Sequence, residues 1–325
     1  MRKLARVAGA VAASAVALSL AAACGDDDSG SGGGSGKLTL APQFGLAYLP
    51  HVVMMESGYL KDQLPNTTIE EVQLSGGGAV VEQMISGSVD VGYMGIGPFL
   101  KAVDGGADLK AISCLEEMPL ELMTMKASAT SIADLGPSDR IALPGPSSHQ
   151  AYTLKVAAMR QLGDPKAFDN QLVGLPHPDA MSALLSGQEV TAHFAQPPFI
   201  GQERAANAKS ILNSHDVFGE HCLIVAVARG DFDQRNPEAR RGLLEALKKA
   251  VDYITSNPEG AADILAAKGD KTPREEVLTA IRAEGTVWTT KIRGLQTTAN
   301  LLKEAGVLSK DLRAADLVFD GVEVS

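Results

Sequence analysis

From Lys37 onward the apolar residues follow two alternating rhythms. Short runs rich in Val, Ile and Leu are each followed by a stretch with apolar residues at helical spacing. Lys37-Leu-Thr-Leu-Ala41 predicts a first strand, ended by Pro42-Gln43-Phe44-Gly45. Leu49, Val52, Val53, Glu56 and Tyr59 then recur near helical spacing, which predicts a helix over 48–59 closed by Gly58. Residues 68–73 predict a strand, and Ser75-Gly-Gly-Gly-Ala79 leads into a helix over 80–86. A strand over 89–94 turns through Gly95-Ile-Gly-Pro98 into another helix, and strands follow over 109–114 and 120–125. Alternation of strand and helix implies a layer of mainly parallel strands covered by helices.

The rhythm then repeats. Strands are predicted over 140–143, 171–175 and 190–194, with helices over 152–162 and 178–186, the latter stopped by Gly187. The β-rich run 222–228 follows, and from Pro237 the chain is mainly helical. Leu243, Leu244, Leu247, Val251 and Ile254 form one apolar stripe there.

The first 36 residues have a different character. Arg2, Lys3 and Arg6 precede an uncharged run over 7–23, as in a secretory signal. Leu20-Ala-Ala-Ala-Cys24 resembles a bacterial lipobox, which would make Cys24 the lipidated N-terminus after removal of residues 1–23. Residues 25–36 contain only Gly, Ser and Asp and predict a flexible tether. No other stretch is long and apolar enough to span a bilayer.

Composition narrows the function. The chain has 325 residues, 45% hydrophobic and 21% charged, which suits a folded protein of about two domains. The formal charge of -10 and 4% aromatic content argue against nucleic acid, which needs Lys and Arg on phosphates and aromatic platforms for bases. Only three cysteines are present. With Cys24 in the processing signal, Cys114 and Cys222 remain; they could pair in an oxidising compartment or stay as buried thiols.

Candidate chemistry gathers at three loops of one layout, strand, small residues, helix start: residues 75–79, 95–98 and 144–149. The first N–H groups of a helix are unpaired and carry partial positive charge, so each loop can receive an anionic or strongly polar group. GxxxxGK[ST], GxGxxG, GxSxG and HExxH are absent, and no Cys/His spacing suits a metal. His149, His177, His193, His215 and His221 could supply a base, but no nucleophile partner is patterned beside them. No enzyme activity, cofactor or metal is expected.

Three segments carry a family resemblance. Ser75-Gly-Gly with Gln83-Met-Ile-Ser-Gly-Ser-Val-Asp-Val-Gly-Tyr93, Ser131-Ile-Ala-Asp-Leu-Gly-Pro137 with Ile141-Ala-Leu-Pro-Gly145, and Ala183-Leu-Leu-Ser-Gly-Gln-Glu-Val-Thr-Ala-His-Phe-Ala-Gln-Pro-Pro-Phe199 resemble, in order and spacing, segments of the solute-binding proteins of ABC importers. The likeness is to the nitrate/sulfonate/taurine group, related to thiamine-pyrimidine binders. One departure is Thr191 where that group commonly has Asp.

This resemblance implies an α/β fold of the type II periplasmic-binding class: two lobes, each a mainly parallel sheet flanked by helices, joined by two hinge crossings. Lobe 1 would comprise 37–124 and 222–325, and lobe 2 residues 125–221. The implied ligand contacts are Gln43, Tyr48, Ser75, Gly76, Gly77, Tyr93, Met94, Gly95, Gly145, Ser147 and Ser148 along the loops. His193, Gln196 and Pro197 would add contacts from the second lobe, and Trp288 a wall. The implied function is capture of a small polar solute, sulfonate-, taurine- or nitrate-like or heterocyclic, for delivery to an ABC permease and ATPase. The protein would be monomeric and held outside the cytoplasm by the lipid on Cys24. The alternatives are a ligand sensor without transport and a thiamine-pyrimidine-synthase-like enzyme.

Overall fold

The computed structural model describes residues 36–43, 45–74, 76–187 and 189–325. The expected signal segment, Cys24, the tether up to residue 35 and the expected contact Ser75 lie outside the described residues.

Two mixed sheets form, as the alternating rhythm implies. The strands are β1 (Lys37–Ala41), β2 (Thr68–Glu71), β3 (Val91–Gly95), β4 (Leu109–Glu117), β5 (Glu121–Thr124), β6 (Ile141–Leu143), β7 (Leu172–Gly174), β8 (Ala192–Ala195), β9 (Lys209–Asn213), β10 (Ile224–Arg229) and β11 (Val287–Trp288). The first sheet has the order β11-β4-β10-β3-β1-β2 and the second β7-β6-β8-β5-β9. In the first sheet all strands but β10 and β11 run one way, and in the second all but β5. The exceptions β5 and β10 lie next to the crossings, where the chain changes sheet and returns.

One boundary is corrected. Residues 121–124, placed in lobe 1 by the sequence, form β5, which pairs with β8 and β9 inside the second sheet. The turn at Met118–Leu120 is therefore the first passage between sheets. Strand β9 was not foreseen, because Ile211 and Leu212 alone are buried in it between polar neighbours.

Helices cover the sheets: α1 (Leu49–Glu56), α2 (Tyr59–Gln63), α3 (Gly77–Ile85), α4 (Ile96–Asp104), α5 (His149–Leu162), α6 (His177–Ser186), α7 (Phe199–Ala205), α8 (Ser214–Phe218), α9 (Phe232–Arg235), α10 (Pro237–Ser256), α11 (Pro258–Ala267), α12 (Arg274–Ile281) and α13 (Leu295–Glu304). The helix expected over 48–59 stops at Glu56, because Gly58 adopts φ 74, the left-handed conformation that terminates helices. The stripe on α10 buries Leu243, Leu247, Val251 and Ile254, with Leu244 at its margin.

Cys114 on β4 and Cys222, two residues before β10, form a disulfide with Cα atoms 5.9 Å apart. It joins the two chain segments that lead to and from the second sheet. Among the described residues no helix is long and apolar enough to cross a membrane.

Candidate functional site

The carboxyl ends of β1 and β3 face those of β6 and β8, and the small-residue loops meet there. Helix α3 begins at Gly77 after Gly76, α4 at Ile96 after Gly95, and α5 at His149 after Ser148. Ser148 caps α5 by accepting a hydrogen bond from the Ala151 N–H at 3.2 Å. Gly76 and Gly95 offer no side-chain cap, and the first N–H of α4, on Ile96, donates instead to the Leu223 carbonyl at 2.9 Å.

Close approaches explain the small residues. A Cβ on Gly77 would stand 3.0 Å from Pro98 Cβ and 3.5 Å from Met94 Cβ, so α3 and α4 start side by side only because Gly is there. A Cβ on Gly95 would lie 3.1 Å from His149 Cβ, whereas one on Gly78 would meet Ser147 Oγ at an ordinary 3.7 Å. At Gly45, φ 116 and an approach of 2.7 Å from Gln196 Nε2 to a built Cβ exclude a side chain. Three helix N-termini, two from the first sheet and one from the second, thus converge on one place. None of the expected contact positions carries Lys or Arg.

The remaining expected contacts divide. Gln43 donates from Nε2 to the Tyr93 carbonyl at 2.9 Å, tying the end of β1 to β3. Met94 is buried beneath Gly77, and Gly145 and Ser147 stand in the turn before α5. Gln196 is buried against Gly45. Tyr48 is buried, and burial together with the nearby Glu116 pushes its phenol well above the usual value.

Three expectations are corrected. The ring of Tyr93 turns into the first half of the molecule and meets His51 edge-on, centroids 4.8 Å apart, so Tyr93 offers backbone rather than a wall. Trp288 is a core residue: its indole N–H donates to the Ile281 carbonyl at 3.1 Å. His193 has no exposed surface, and both its nitrogens are engaged, Nδ1 with Glu203 Oε1 at 2.5 Å and Nε2 with His177 Nδ1 at 2.8 Å. Enclosed and with both nitrogens taken, His193 cannot reach a solute.

Some nearby groups were not anticipated. Glu116, next to last in β4, stands in register with Ile224 and Trp288; it is fully buried, and burial pushes its carboxyl well above the usual range. His149 Nε2 meets His221 Nε2 at 3.0 Å beneath the stacked ring of Phe218. Burial and the His221 charge hold His149 well below its ordinary value. Beside the loops a groove of about 710 Å³ runs between α7 and α12, and among the expected contacts only Pro197 lines it. Gln202 Nε2 donates across it to Glu276.

Comparison with known proteins agrees with this geometry. The sequence profile of the NMT1-like family matches residues 34–267. A protein of Brucella abortus (strain 2308), named as a candidate binding protein, is 25% identical over 287 residues, spanning 76% of this chain and 87% of its own. The alkanesulfonate-binding protein of Xanthomonas axonopodis pv. citri, solved with MOPS bound, superposes with a TM-score of 0.72 at 20% identity, over 89% of this chain and 99% of that one. The periplasmic nitrate-binding protein of Synechocystis PCC 6803 also gives 0.72, at 15% identity, over 89% and 86%. The fold is therefore that of the periplasmic binding proteins.

Proposed function

The chain belongs to the NMT1-like family, and from that premise we propose that it is an extracytoplasmic solute-binding protein of an ABC importer. It captures a small anion, of the sulfonate, taurine or nitrate kind, where α3, α4 and α5 begin. The observation that carries this reading is the convergence of three helix starts without any cationic side chain among the contact positions. Backbone N–H groups and helix dipoles supply the positive field, and in a closed, poorly hydrated cleft that field acts strongly. Ser147 and the Gln196 amide add directed hydrogen bonds. Binding and hinge closure occur together, presenting a new surface to a permease.

The placement outside the cytoplasm is supported by the Cys114–Cys222 disulfide, a bond of oxidising compartments. It is also supported by the signal-like first 23 residues. Lipidation at Cys24, with residues 25–36 as tether, would hold the protein at the membrane within reach of its permease.

Isothermal titration with ethanesulfonate, taurine and nitrate tests the site. Ser147→Ala and Gln196→Ala are each expected to weaken binding about 3- to 12-fold, the worth of one hydrogen bond, with folding unchanged by circular dichroism. Full affinity in both variants would remove these residues from the site.

A further inference from the structure

Behind the second sheet's share of the site runs a buried chain of titratable groups that solute binding as described does not use. Glu203 on α7 is wholly enclosed; its Oε1 meets His193 Nδ1 at 2.5 Å, and its Oε2 has no partner. His193 Nε2 meets His177 Nδ1 at 2.8 Å. His177 is the first residue of α6, where β7 ends beside β6, and is half-buried. Its Nε2 lies 3.4 Å from Nε2 of Gln150, the second residue of α5 and two beyond Ser148. The chain therefore begins in the sealed interior and ends beside the loop that carries Ser147 and Ser148.

We propose that His177 is a ligand-contact residue, and that Glu203, acting through His193 as a positioning residue, lets it become cationic when an anion enters the cleft. This rests on the function proposed above. The steps balance within the protein. Glu203 Oε1 passes its proton to His193 Nδ1, and His193 passes its Nε2 proton to His177 Nδ1. With the Gln150 amide turned so that its oxygen accepts from His177 Nε2–H, His177 already carries a proton on Nε2 and becomes imidazolium, Glu203 becomes carboxylate, and His193 ends neutral as the other tautomer. No proton enters from solvent and no bond other than N–H and O–H changes.

The surroundings favour this arrangement. Strand β6 brings only Ile141, Ala142 and Leu143 to the cluster, and α5 brings the neutral Gln150. On α7, Arg204 is taken by Glu121 at 2.6 Å, and on α6 itself Asp179 is exposed. Burial raises the Glu203 carboxyl to about 8 and lowers His193 to about 3. Burial, then the charge of His193, lowers His177 to about 3. At neutral pH the empty chain is thus uncharged, with the proton on Glu203. Separating charge in so dry a place is costly unless an anion stands beside His177. A neutral isostere gives no such return, so the relay selects for charge.

The test uses the full mature protein with ethanesulfonate and, as the neutral analogue, ethanesulfonamide. Side-chain nitrogen-15 NMR at pH 7 should show His177 moving from the neutral to the imidazolium pattern with ethanesulfonate and not with ethanesulfonamide. Titration calorimetry in phosphate and in Tris should report close to zero protons exchanged for the wild type. In Glu203→Gln, which keeps shape and hydrogen bonding but has no proton to give, affinity should fall about tenfold or more, and residual binding should draw a proton from buffer. His177→Gln should lose affinity similarly. Ethanesulfonate binding at full affinity with His177 neutral, or unchanged by either variant, overturns the relay and leaves the solute-binding reading standing. Failure of the wild type to bind ethanesulfonate, taurine or nitrate overturns both.

Discussion

Replacing Gly97 by alanine separates closure of the two halves from stability of either. Gly97 is the second residue of α4 and is buried. A Cβ there would lie 2.8 Å from Tyr152 Cδ2, 2.9 Å from His149 Nδ1 and 3.5 Å from His149 Cα, all on α5 of the second sheet. Neither partner is a loose end: Tyr152 is 7% and His149 2% exposed, and His149 is held by His221. With the halves apart, alanine should stabilise α4 by about 0.5–1 kcal/mol, since glycine is the poorer helix former. With the halves together, the added methyl overpacks the contact at a cost of ~1–3 kcal/mol. Helix α4 is formed in both states, so that gain cancels in the closure equilibrium, and closure weakens by the overpacking cost alone, about 1–3 kcal/mol. A solute gripped from both sides should therefore bind about 5- to 150-fold more weakly. Calorimetry measures the affinity, and small-angle scattering of the solute-bound state measures the more open shape. Gly58→Ala is the control: φ 74 is strained, but nothing lies within 4 Å of its Cβ. It should lower the melting temperature and leave affinity alone. Affinity of Gly97→Ala within about threefold of wild type, or an equal loss in Gly58→Ala, would refute the reasoning.

Acid should destabilise the fold through its buried imidazoles. Burial holds His149 well below its ordinary value and His221 down to about 4. The unfolded chain takes up these protons below ~6.5, so the stability they contribute is present above that pH and lost as pH falls towards 4. Urea melts at pH 7 and 5 should differ by about 2–4 kcal/mol; equal stabilities would contradict this. Reducing the Cys114–Cys222 bond, which spans 108 residues of sequence, should cost about 2–5 kcal/mol. Thermal melts with and without dithiothreitol check it, and a loss below ~1 kcal/mol would mean that strand pairing alone holds β4 beside β10.

Much of the fold was legible because strand and helix periods differ and the chain keeps them apart. The apolar runs 37–41 and 222–228 and the stripe on α10 announced themselves. Residues 121–124 misled, because an apolar strand carries no mark of the sheet it joins. The loops at Gly76–Gly77, Gly95 and Ser147–Ser148 were legible as helix starts, where small residues have a backbone reason. Side-chain direction was not: one residue of register decides whether Tyr93 or His193 faces the cleft or the interior. His177 and Glu203 could not have been joined from sequence, since the contact between α6, β8 and α7 exists only once the second sheet has formed.

A thermal-shift panel of ethanesulfonate, taurine, nitrate, pyrimidines and aromatic acids on the mature protein tests the central claim most directly. A solute at a hundred times its dissociation constant contributes about 2.7 kcal/mol of stability. At ~2 °C per kcal/mol for a domain of this size or somewhat larger, the midpoint should rise by about 5 °C for at least one small anion. No rise with any of them would contradict the reading of this chain as an anion-capturing solute-binding protein.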